Sequence, residues 1–129
     1  KDLEDVRAYL QSMAVHYVGQ FFQHTGQNLD GDRHIDIDEL WSVHSYAGDY
    51  NPIHDHGTKT IMGISCTTWT KVPEQIEKLK PTQAVVFKPE VGKIYFFPSW
   101  LQHMVYPFKG EGERRTVAAN LNAFPVEKQ

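Results

Sequence analysis

Gly48-Asp49-Tyr50-Asn51-Pro52-Ile53-His54-Asp55-His56 is the stretch on which the reading of this 129-residue chain turns. Tyr50-Asn51-Pro52 breaks the pattern before it and leads into an extended segment with two histidines one residue apart. In an extended strand, residues i and i+2 point to the same face, so His54 and His56 address one point while Asp55 points away. A third histidine, His103, closes an aromatic strand pattern farther on. Three protein ligands on one side of an ion leave coordination positions open, which suits catalysis better than structural bracing.

Outward from this stretch the chain divides into one helix and many short strands. Leu3, Val6, Leu10, Met13, Tyr17 and Phe21 recur at steps of three or four and predict a helix over about 2–24 with one apolar stripe. Asp2, Glu4 and Asp5 favour the positive end of its dipole, and Gly26 is its stop. After Gly26 the period falls to two. Ile35, Ile37, Trp41 and Val43 alternate with His34, Asp36, Asp38 and His44, the pattern of a half-buried strand. Further strands are expected at about 60–71, 84–88, 93–97, 103–106 and 115–122, with turns at Gly48, Gly57, Pro89 to Gly92 and Gly110 to Gly112. Residues 73–81 read as one helical turn or a loop. The expected fold is mainly β: a double-stranded β-helix (jelly roll) over about 34–124, its N-terminal helix packed on one sheet, in a single domain spanning 1–129.

Composition narrows the function. With 13 Lys and Arg against 16 Asp and Glu, and a pI near 6.1, the chain has no basic stripe for phosphates, so no nucleic acid is expected as a partner. A lone cysteine, Cys66, excludes a disulfide framework and a cysteine-built metal site. No apolar run reaches membrane-spanning length and no signal-peptide pattern is present, so the expected setting is cytoplasmic, without a membrane. Oligomeric state is not legible.

Most of the seven histidines need no special role. His16 and His24 fall in the helix, and His34 and His44 on the first strand pattern, with nothing nearby to complete a site. The run Asn28 to Glu39 imitates a calcium loop, but Arg33 stands where the sharp turn needs glycine, and the following residues alternate as a strand instead of a helix. An acidic turn is the plainer reading.

The spacings Gly48 to His54-x-His56 and Gly92 to Pro98 to His103 resemble the two signature motifs of the cupin superfamily. The chain departs from them twice: Thr58-Lys59-Thr60-Ile61 lacks the expected glutamate, and Trp100 replaces a glycine. A closer resemblance covers more of the chain. Trp41 to His56, the run Gly92-Lys93-Ile94-Tyr95-Phe96-Phe97-Pro98-Ser99-Trp100-Leu101-Gln102-His103-Met104-Val105, and Gly112-Glu113-Arg114 continuing to Asn120 are similar to three ordered segments of 2-oxoglutarate/Fe(II) oxygenases of the prolyl-hydroxylase-related group. The wider superfamily supplies two histidines and a carboxylate; here His56 would take the carboxylate's place, giving three neutral imidazoles. The resemblance implies Fe(II) held by His54, His56 and His103, with 2-oxoglutarate and dioxygen as cosubstrates. The product pair would be succinate and CO2, formed as a small-molecule or peptidyl substrate is hydroxylated.

The same resemblance implies an arginine about eleven residues after the distal histidine that grips the far carboxylate of 2-oxoglutarate. Arg114 stands there, followed by Arg115. A guanidinium makes two charge-assisted bonds to a carboxylate, which lysine cannot match. Parity favours Arg114, whose face carries Thr116, Ala118, Asn120 and Asn122, whereas Arg115 shares its face with Val117, Ala119 and Leu121. Tyr46 would point inward by the same parity and donate to that carboxylate, or else pack in the core. Tyr95, Phe96, Phe97 and Trp100 would partly line the pocket, with alternate ones in the core. Two other readings stay open: a cupin-type three-histidine metalloprotein that uses no 2-oxoglutarate (a dioxygenase, an isomerase or a small-molecule binder), and a catalytically silent domain that binds a partner.

Overall fold

The computed structural model describes residues 3–26, 33–57, 62–73 and 85–126. Helix α1 (Leu3–Thr25) is followed by strands β1 (Arg33–Ser45), β2 (Asn51–His54), β3 (Gly63–Lys71), β4 (Ile94–Pro98), β5 (His103–Val105) and β6 (Arg114–Pro125). Four of them form an antiparallel sheet in the order β1-β6-β3-β4, and β2 pairs with β5 in a second, two-stranded sheet. This is a mainly β, jelly-roll-like arrangement with the helix laid on the larger sheet. No helix among the described residues is long and apolar enough to cross a membrane.

The core lies between α1 and one face of the larger sheet. Leu10, Ala14 and Val18, one turn apart, meet Ile35, Ile64, Cys66, Ala119, Leu121 and Ala123. Burial of a side chain such as Leu10, Val18, Ile64 or Leu121 stabilises the fold by about 1.5–3 kcal/mol each. Ala14 and Ala119 are completely covered, small enough to let helix and sheet approach closely. Tyr17 stacks on Phe96 with ring centroids 6.0 Å apart, and burial pushes its hydroxyl up to about 12. Burial likewise pushes the Cys66 thiol up to about 11, so this cysteine acts as a small apolar filler with no nucleophilic character.

The helix ends near Gly26, as expected, but its buried stripe is shifted. Leu3 and Val6 stay exposed, and the contact begins only at Leu10, because the sheet does not extend under the first turns. The first strand differs more consequentially. Ile35 and Ile37 pair with Ala123 and Leu121 on the helix side. A bulge at Asp38 then shifts the register, so that Glu39 pairs with Asn120 and Trp41 with Ala118. One extra residue turns every later side chain to the opposite face. Trp41 and Val43 therefore lie on the far side of the sheet from Ile35 and Ile37, whereas simple alternation put all four together.

The expected strand at 84–88 is not formed over 85–88, where Val85 is 81% exposed and the chain runs without regular pairing. Only Val91 makes an isolated parallel bridge, to Trp69. Among the described residues no strand pairs with this run, and without a partner its β-branched residues gain nothing from their propensity. Ala84, most of 73–81, residues 58–61 and the first part of the calcium-loop-like run, 28–32, lie outside the described residues. The rest of that run, from Arg33, is strand, which removes the helix a calcium hand requires.

Candidate metal centre

Two glycines shape the approach to the histidines. Gly48 (φ 89°) and Gly92 (φ 85°) both adopt the left-handed conformation that side chains disfavour, and both sit in turns. Gly48 donates its N–H to the Phe108 carbonyl at 3.1 Å, and Gly92 donates to that of Trp69 at 3.0 Å. These are the glycines that open the two motifs, so their spacing to the histidines reflects backbone turns that launch β2 and β4.

His54 closes β2 directly opposite His103, the first residue of β5. His56 lies just past the strand, where its N–H donates to the Ser99 carbonyl at 2.9 Å and keeps the segment extended. Burial alternates as parity predicts: His54 and His56 are half-buried and Asp55 is exposed. One ring nitrogen from each of His54, His56 and His103 lies within 4.8 Å of the others. The ring centroids are 4.3–5.1 Å apart. The sequence-predicted trio is thus brought together, across the junction of the two strands of the small sheet.

The donor chemistry fits a divalent ion. His54 donates Nδ1–H to the Pro52 carbonyl at 2.7 Å, and His103 donates Nδ1–H to that of Leu101 at 2.9 Å. A neutral imidazole has one N–H, so both rings present a bare Nε2 lone pair to the centre. The Nε2 atoms of His56 and His103 are 3.2 Å apart. Ligands held about 2.1 Å from one ion stand roughly this far from each other. His56 is held below the ordinary histidine range, first by burial and then by the neighbouring His103 and His54, which favours the neutral form a metal needs. Its Nδ1 lies 3.4 Å from the Asn120 amide, which also receives the Ser65 hydroxyl and donates to Glu39 at 2.8 Å. Phe97 packs edge-on against His103 with centroids 4.9 Å apart, and Trp41 lies 6.0 Å from His56.

The two adjacent arginines separate cleanly. Arg115 makes a bidentate pair with Glu113, at 3.0 Å through each nitrogen, and Glu113 also takes Lys71 at 3.2 Å and His44 at 2.6 Å. With Arg115 as the main cause, this network holds the Glu113 carboxyl down to about 2. Arg114 is only 5% exposed. It donates to the Tyr106 carbonyl at 2.9 Å, lies 5.2 Å over the Phe108 ring, and makes no ion pair among the described residues. Burial pushes its guanidinium down and Asp49 partly offsets this, but an arginine stays charged. Register puts Arg114 on the sheet face shared with Thr116, Ala118 and Asn120, opposite Ala119 and Leu121.

Tyr46 does not point inward. β1 ends at Ser45, the chain turns with the Tyr46 N–H donating to the Asp49 carboxylate at 2.8 Å, and the side chain is 58% exposed. Parity cannot be counted through such a turn. Of the aromatics, Tyr95 and Phe97 share the inner face by their pairing with Thr67 and Ser65, Phe96 packs against the helix, and Trp100 is exposed. Sequence reasoning missed Glu39 and Trp41 beside His56, because the bulge that turns them inward has no local signal. With Arg7 from α1 and Asn120, they line an open cleft of about 550 Å³ that reaches His56.

Residues 68–120, less than half of the chain, match the model of a family described as "Putative 2OG-Fe(II) oxygenase". The matched stretch contains His103 and Arg114 and begins downstream of His54 and His56. No curated protein matches the chain. The match supports an oxygenase, and His54, His56 and His103 form a cluster that could hold a metal ion.

Proposed function

We propose that the protein is a non-haem Fe(II)/2-oxoglutarate-dependent oxygenase, akin to the prolyl-hydroxylase-related group, that hydroxylates a small-molecule or peptidyl substrate. The balanced reaction is R–H + O2 + 2-oxoglutarate → R–OH + succinate + CO2. One oxygen atom enters the new hydroxyl and the other the succinate carboxylate. The observation that carries this reading is Arg114: a buried guanidinium without a carboxylate partner among the described residues, on the sheet face that meets three converging imidazoles.

In this reading His54, His56 and His103 hold the iron through Nε2. Bound iron supplies the one-electron chemistry with dioxygen that no side chain offers. The chain's own residues do the rest. The Pro52 and Leu101 carbonyls keep two imidazoles in the ligating tautomer, and Asn120 braces the third. Three neutral ligands leave the centre more cationic than two histidines and a carboxylate would, which favours a dianionic partner. Arg114 receives the far carboxylate of 2-oxoglutarate through its planar fork, where burial strengthens the charge-assisted bonds. Between Arg114 and Asn120 the inner face carries only Thr116 and Ala118, small enough to leave room for a five-carbon diacid. Phe97 and Trp41 shield the imidazoles from water.

Adding 2-oxoglutarate without oxygen to the Fe(II)-loaded protein tests this directly. A visible charge-transfer absorption that saturates at one equivalent is expected. Stoichiometric iron without that absorption would leave a three-histidine metalloprotein that uses no 2-oxoglutarate, and no stoichiometric metal would leave a silent binding domain.

A further inference from the structure

Three charged side chains line one cleft; Asp38 is engaged by Asn122, but Arg7 and Glu39 do not pair with each other. Arg7, reaching from α1, makes no ion pair or hydrogen bond among the described residues. Glu39 accepts one hydrogen bond, from Asn120, and meets no cation among them. Both line the cleft of about 550 Å³ whose wall includes Trp41 and His56. The bland reading is that both are solvated surface charges, the ordinary state of exposed ions. Their position argues otherwise. The bulge at Asp38 puts Glu39 and Trp41 on the inner face, and the cleft they line also includes Asn120 and the His56 imidazole that Asn120 meets at Nδ1. A cation and an anion that form no ion pair among the described residues, on the walls of one open cleft, complement a ligand that carries both charges.

We infer that the cleft is the substrate site and that it takes a free amino acid or similar small zwitterion. The ligand's carboxylate meets the Arg7 guanidinium, which matches it with two donors. Its ammonium meets the Glu39 carboxylate beside the Trp41 ring, whose face attracts cations. Its side chain is then left to extend toward His56. The volume lies within the roughly 300–1,000 Å³ typical of small-molecule sites. A residue in the middle of a peptide carries neither charge, so the pair selects against peptidyl substrates. The inference rests on the oxygenase reading for the chemistry at the ion, but the recognition itself does not depend on turnover.

The test is calorimetric titration of the full chain loaded with Mn(II) and 2-oxoglutarate under nitrogen, using the free protein amino acids as probes. At least one side-chain class should bind, and its N-acetyl and carboxamide forms should each bind about tenfold or more weakly, having lost one charge-assisted contact. Arg7→Gln should erase the penalty of the carboxamide, and Glu39→Gln that of the N-acetyl cap; melting temperature checks that both variants fold. Capped ligands that bind as tightly as free ones, or no binding by any free amino acid at millimolar concentration, would overturn the inference. If the charge preference holds and succinate never forms, the site stands and the oxygenase reading falls. If succinate forms while caps make no difference, the reverse holds.

Discussion

The two sides of the larger sheet are built from alternate residues of the same strands, yet they follow different rules. Toward the helix, Ala119, Leu121 and Ala123 of β6 sit in a closed apolar layer with Ile35, Ile64 and Cys66. Toward the second sheet, the same strand presents Arg114, Thr116, Asn120 and Asn122, among them buried polar groups. The first face stabilises the fold, and the second uses that stability to hold a buried guanidinium and an amide in place. A strand that is central in the sheet can carry both functions because its period of two keeps them apart. Arg114 and Arg115 show the contrast within one dipeptide: one faces the interior with no carboxylate bonded to it among the described residues, the other is consumed by Glu113.

Four measurements break or sharpen this comparison. His103→Ala removes one of the three candidate ligands and one half of the closest imidazole pair. It should abolish stoichiometric metal binding and reduce succinate formation to background while the circular dichroism spectrum stays folded. Arg114→Ala should weaken 2-oxoglutarate binding by about two orders of magnitude, since two charge-assisted bonds are lost, and Arg114→Lys should recover little. Arg115→Ala should leave that affinity nearly unchanged; equal losses for the two variants would erase the distinction between the faces. On the helix side, Leu121→Ala should cost about 2–5 kcal/mol in denaturant unfolding. Metal affinity measured well below the unfolding midpoint should be changed much less.

The smallest effect is expected from acid. The Glu113 carboxyl is depressed in the folded state from its ordinary 4.5 to about 2, chiefly by Arg115. A depressed carboxylate contributes stability that is fully present above about pH 4.5 and is lost as pH falls through about 2. Glu113→Gln should therefore flatten the stability profile across that window, read as melting temperature against pH. An unchanged slope would mean that other carboxylates govern acid unfolding.

The parts legible in the sequence were those governed by local geometry. The helix, the i, i+2 histidine pair and the two glycines at fixed distance from their histidines depend on spacings of a few residues. Parity along β6 also held, from Arg114 to Asn122, because the extra residue of each irregular pairing lies on the partner strand, at Asp38 of β1 and Thr70 of β3, and β6 itself runs without one. Parity failed along β1, where the bulge at Asp38 reversed the faces of Trp41 and Val43, and beyond Ser45, where a turn sent Tyr46 to solvent. Strand propensity also failed at 85–88, which pairs with no strand among the described residues. Each failure involves a partner or a turn that the segment does not encode by itself.

The amino-acid order alone thus determined which side chains are chemically able to serve: three imidazoles, two forked cations and the turns that launch their strands. Which of them come together was decided by packing. Only tertiary structure brought His103 against His54 and His56, closed Glu113 around Arg115, left Arg114 buried without an ion pair among the described residues, and turned Glu39 and Trp41 toward His56. The reason is physical. Conformation along a strand is set by near neighbours, whereas register, bulges and the pairing of charges depend on what another strand presents across the sheet.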